Sequence, residues 1–158
     1  LSARKTENGT HTTYRLLTEL TASLIKEFHI IYDLSATFDN GYLTKAFIRT
    51  AVNQNTWDST SIRWQDSRYR IKQQGEESYY LNKAQCTLST ACLYFRRPSE
   101  GQVFSEQYRE LVAVTQVKPD VYKLKLPSGN ANMYYYDEQG LKKVIVNDTP
   151  VQIRFVRL

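Results

Sequence analysis

The chain has 158 residues and a mass of 18.4 kDa, room for one domain with a sizeable core. Hydrophobic residues at 41%, charged residues at 23% and only 6 Gly and 4 Pro exclude a disordered or low-complexity chain. A formal net charge of +5 permits contact with an acidic surface, but that excess is too small for this length to make nucleic acid an expected partner.

With 12 Tyr against one Met, and abundant Thr, the composition suits half-buried pleated surfaces. Residues 2–6 and 12–21 read as strands joined at Asn8-Gly9. Residues 27–38 give the clearest signal. Phe28, Ile30, Tyr32, Leu34, Ala36 and Phe38 alternate with Glu27, His29, Asp33, Ser35 and Thr37, and only Ile31 departs from the pattern. A helix would scatter these apolar groups, whereas a strand puts them on one face. Asn40-Gly41 then supplies the positive φ angles of a tight hairpin, so 42–53 returns antiparallel. Strict alternation there sets Leu43 and Phe47 on one side and Ala46, Ile48 and Val52 on the other.

Further strands are expected at 57–64, 69–73, 78–81, 111–117, 121–126, 132–136, 141–146 and 151–158, separated by short turns rich in Asn, Asp, Gly and Pro. Residues 83–95 break the alternation. Leu88, Cys92 and Phe95 stand at helical spacing, which predicts one short helix or irregular plug; 96–101 then read as a loop. The fold class expected is mainly β, a strongly curved antiparallel meander closed as a half-barrel or barrel, because several strands are apolar on both faces. A single β domain spans 1–158. The chain opens with no basic segment leading into an apolar one, and its longest nearly uncharged run, 81–95, is too short and polar to cross a bilayer. No transmembrane segment is therefore expected.

Chemistry-bearing groups are sparse. His29 shares a strand face with Glu27 and Asp33, which would suit acid–base or metal work, yet no second His or Cys stands at a ligand spacing. The plainer reading is a solvated strand face, and neither catalytic residues nor metal ligands nor a cofactor are assigned. Cys86 and Cys92 would lie about 20 Å apart in an extended strand, so two buried thiols are expected rather than a disulfide. Arg68, Arg70 and Lys72 alternate with Tyr69 and Ile71, and Lys123 and Lys125 with Tyr122 and Leu124. Charges and aromatics fall on opposite faces there, which argues against a single-strand nucleic-acid platform. Tyr79-Tyr80 and Tyr134-Tyr135-Tyr136 would fill a core boundary or line a cavity for an amphipathic ligand.

The stretch YDLSATFDNGYLTKAFIR, the later LYFRRP followed by Phe104-Ser105-Glu106, and MYYYDEQGLKKVIV together resemble an uncharacterised bacterial domain family of unknown function. That family belongs to secreted or periplasmic β-sheet proteins, and in outline it is similar to the curved sheet of Lol-type lipoprotein carriers. The resemblance covers 1–158, carries no catalytic signature, and implies one more strand before residue 1. It implies a periplasmic or extracellular location.

The expected function is a non-enzymatic binding protein of the bacterial envelope or exterior. It would hold a lipid or other hydrophobic ligand on a concave face lined by Phe28, Ile30, Tyr32, Leu34 and Phe38, with Tyr134 or Tyr136 at the rim. The alternative is an interaction module with no small ligand, which meets a protein partner through an edge strand at residues 2–6. An enzyme is the least favoured reading.

Overall fold

The computed structural model describes residues 1–23, 27–53, 55–147 and 152–157; the side chains of Ala22, Ser23, Phe28 and Trp57 lie outside that description. The chain divides into two compact units, Leu1–Ala91 and Cys92–Leu158, and each holds one antiparallel sheet.

The first unit is a meander of β1 (Ser2–Asn8), β2 (His11–Ser23), β3 (Glu27–Asp39), β4 (Tyr42–Val52), β5 (Asn55–Gln65), β6 (Arg68–Gln73) and β7 (Tyr79–Leu81), in that spatial order. The turns explain the order. Gly9 takes φ 61° as the first central residue of its hairpin, the Gly-first arrangement of a type II′ turn. Asn40 and Gly41 both take positive φ, the arrangement of a type I′ turn. Asp66 and Ser67 do the same at 50° and 59° without a glycine. Ser67 therefore carries left-handed strain. Ser67→Gly is expected to raise stability by about 1 kcal/mol, read as a shift in urea midpoint at constant slope.

One row crosses the five central strands on the buried face: Tyr14, Ala36, Ala46, Ile62 and Ile71 are register partners, and all five are core residues. Strand β4 departs from simple alternation. Thr37 pairs with Lys45 but Phe38 pairs with Leu43, so Thr44 is an extra residue, a β-bulge. Its hydroxyl donates to the Thr37 carbonyl at 3.1 Å. The bulge puts Leu43 on the buried face with Ala46 and Ile48, while Phe47 points the other way and is 42% exposed. Leu43 and Phe47 thus lie on opposite faces, a correction to the strict alternation read from the sequence.

The second unit holds β8 (Gly101–Ser105), β9 (Glu110–Lys118), β10 (Val121–Lys125), β11 (Ala131–Asp137), β12 (Gly140–Val146) and β13 (Ile153–Val156), again a meander with β8 and β13 at its edges. Strand β8 begins at Gly101, the last residue of the stretch that reads as loop, where the sequence predicts no strand. The expected turn at 147–150 lies, for residues 148–150, outside the described residues. Neither sheet closes on itself, so the architecture is two open antiparallel sheets rather than a barrel.

The expected irregular segment is present. After β7 the chain runs without regular structure to a 3₁₀ turn at Thr90–Tyr94. Cys86 and Cys92 are both buried and free. No helix among the described residues is long and apolar enough to cross a membrane.

Candidate functional site

The expected ligand face on β3 is closed core at one end and half-buried at the other. Leu34 and Phe38 are each 3% exposed, and Tyr14 meets Phe38 edge-on at 5.7 Å. Ile30 and Tyr32, farther along the same face, are half-buried, in register with Leu20 and Val52 and with Thr18 and Thr50. Phe28 lies outside the described side chains. Tyr134 and Tyr136 belong to β11 in the second unit and are both buried, so they stand on a different sheet from the β3 set.

Each unit anchors the irregular segment through one buried tyrosine. In the first unit the Tyr69 hydroxyl donates to the Leu43 carbonyl at 3.2 Å and accepts from the Cys86 N–H at 2.8 Å. The Leu43 N–H donates to the Cys86 carbonyl at 2.7 Å, which completes a local ladder. Burial first of all pushes the Tyr69 hydroxyl well above its ordinary value.

In the second unit the Tyr136 hydroxyl donates to the Leu93 carbonyl at 2.6 Å. Tyr122 packs edge-on against Tyr136 at 5.7 Å, and Tyr94 against Tyr134 at 6.1 Å. Arg97 donates to the Asp137 carbonyl at 2.6 Å and pairs with Asp120 at 2.8 Å. The stretches LYFRRP and MYYYDEQG therefore meet, one clamped to the other. Burial pushes Tyr136 well up, and burial together with the negative Glu106 pushes Tyr94 up to about 12. Glu106 itself has no exposed surface. A fully buried carboxyl is unusual, and only its place in Phe104-Ser105-Glu106 marked it in the sequence.

The acid–base candidates of β3 do not form a free cluster. Asp33 accepts two hydrogen bonds from Arg15, at 3.2 and 2.8 Å. Glu27 is exposed, and the His29 backbone N–H donates to Asn53 Oδ1 at 2.9 Å. Among the described residues no group of three or more His, Cys, Asp or Glu could hold a metal ion.

The free edges are the remaining candidates. Strand β1 pairs with β2 along its whole length from Ser2 to Asn8, and all seven of its residues are exposed. Asn8 and His11 close a two-residue turn, which makes them a mutually hydrogen-bonded pair. By alternation Ser2, Arg4 and Thr6 also bond inward, while Ala3 and Glu7 turn their backbone groups to the outer edge. The chain belongs to the family described as a domain of unknown function, DUF6134, which matches residues 1–158. No curated protein and no solved structure matches it.

Proposed function

We propose that this member of an uncharacterised family is a non-enzymatic interaction module that takes an extended segment of a partner protein along β1. The carrying observation is that edge: seven exposed residues with a strand paired on one side. An unpaired strand edge offers main-chain donors and acceptors at fixed spacing, the basis of strand addition. Lys5 is paired with Glu7 at 2.5 Å, so Arg4 is the charge that biases this edge against strands presenting a cation opposite it, and towards acidic ones. A non-catalytic role is supported by the engagement of Asp33 with Arg15. The setting that goes with this reading is periplasmic or extracellular, as in the secreted β-sheet proteins the sequence resembles.

A peptide-display selection tests the reading. Selected peptides are expected to slow hydrogen exchange at the amides of Ala3 and Glu7. Ala3→Pro is expected to abolish binding while the fold survives, because by the register the Ala3 N–H faces away from β2. Protection at some other surface, or undiminished binding by the proline variant, would overturn it.

A second reading keeps a lipid or other amphipathic ligand on the β3 face. It is supported by the half-buried row of Leu20, Ile30 and Val52 with Tyr32 beside it, where the face is less completely covered than at Leu34 and Phe38. Native mass spectrometry of freshly purified protein distinguishes the two, since a co-purifying lipid adds its mass to the chain.

A further inference from the structure

The polar face of the first sheet concentrates positive charge in three successive cross-strand rows. In the first, Asp33 pairs with Arg49. In the second, Arg4, Arg15, Phe47 and Lys72 are linked through Ser35 and Ser61. In the third, Lys45, Arg63 and Arg70 are direct neighbours on β4, β5 and β6. These rows hold seven cations against one carboxylate, and Asp33 is already bonded to Arg15. The patch alone exceeds the +5 formal net charge of the whole chain.

This arrangement works against folding. Arg4 lies opposite Arg15, Lys45 opposite Arg63, and Arg63 opposite Arg70. Like charges directly opposite on paired strands destabilise a sheet. A bound polyanion would relieve all three pairs at once. The centre of the patch is a shallow depression of about 320 Å³ on the same face, lined by Ser35, Thr37, Lys45, Phe47, Ser61 and Arg63. Phe47 stands 42% exposed within it, with Ser35 and Ser61 as its cross-strand neighbours.

We propose that this depression binds an acidic polysaccharide, independently of any strand taken at β1. A sugar ring lies on Phe47, its hydroxyls meet Ser35, Thr37 and Ser61, and its carboxylate or sulfate groups pair with Lys45, Arg63 and Arg70. A planar anionic membrane fits less well, because it cannot follow a hydroxyl-lined concavity. Single-stranded nucleic acid stacks successive bases on successive aromatics. Among the described residues Phe47 is the one aromatic lining the depression, and Tyr80, at the end of the third row and 41% exposed, has one ring face taken by the Arg68 guanidinium at 3.9 Å.

The test compares low-molecular-weight heparin, a single-stranded oligothymidylate and phosphatidylglycerol vesicles by titration at an ionic strength of about 0.15 M. Heparin is expected to bind most tightly. The double variant Arg63→Gln/Arg70→Gln is expected to weaken it roughly tenfold or more, with a melting temperature equal to or above the parent's. Phe47→Ala, which leaves the charge unchanged, is expected to weaken it severalfold. The matched double variant Lys123→Gln/Lys125→Gln, on exposed positions of β10, is expected to bind as the parent does. Equal loss in that control, indifference to Phe47→Ala, or tighter binding of the oligothymidylate or the vesicles would each overturn the proposal.

Discussion

Between pH 10 and pH 12 the folded protein is expected to lose most of its stability and unfold. Tyr69, Tyr94 and Tyr136 all have hydroxyls raised above the ordinary value of 10.0, and for each the largest cause is burial. In the unfolded chain they ionise near pH 10. The native state keeps those protons to higher pH, so above pH 10 it binds more protons than the unfolded state and stability falls as pH rises. The contribution is fully present below pH 10 and is lost as pH climbs through the folded values. Each tyrosine contributes a slope of about 1.4 kcal/mol per pH unit, so three together give about 4 kcal/mol per unit. Two such units rival a typical domain stability of about 5–15 kcal/mol. Tyrosinate absorbance should show a late step that coincides with loss of the near-ultraviolet circular dichroism. A smooth titration that ends with the dichroism intact would contradict the expectation.

Tyr69→Phe and Tyr69→Ala are expected to separate two contributions at one position. The Phe variant keeps the ring against Trp64, at 4.8 Å between centroids, and removes only the hydroxyl. The Cys86 N–H then loses its 2.8 Å acceptor, while the Leu43 carbonyl keeps the Gln85 side-chain amide at 3.2 Å. One buried donor left unsatisfied costs about 1–3 kcal/mol. The Ala variant adds a cavity at a position with no exposed surface, and truncation of a large buried aromatic costs about 3–5 kcal/mol. Urea denaturation of the two variants measures both. Equal stability of the Phe variant and the parent would mean that the Tyr69 hydroxyl contributes nothing net to holding the segment around Cys86.

Several strands of the first sheet could be read from the sequence because they carry their own alternation or end in a turn whose positive φ angles suit Asn, Asp or Gly, as at Gly9, Asn40-Gly41 and Asp66. Residues 27–38 illustrate this, since Glu27–Asp39 is one uninterrupted strand with Leu34, Ala36 and Phe38 buried on one face. Strand β8 escaped because it is only five residues long and follows a Pro- and Gly-containing stretch. The division into two sheets was equally invisible, since period-two patterns do not say where pairing stops. The basic patch escaped for a related reason. Within β6 the charges of Arg70 and Lys72 do oppose Tyr69 and Ile71, as the alternation says. The aromatic groups that share their face, Tyr80 on β7 and Phe47 on β4, come from other strands, and only the register shows it. The clamps made by Tyr69 and Tyr136 join residues 17 and 43 positions apart, beyond any local pattern.

The bulge at Thr44 makes the length of β4 part of its surface chemistry. A deletion of that single residue would transpose everything on one side of it, so that either Phe47 turns inward or Leu43 turns out to water. Among related chains, a one-residue gap at this point would therefore exchange interior for exterior without altering a single side chain. Matching strands by hydrophobicity alone would hide the exchange.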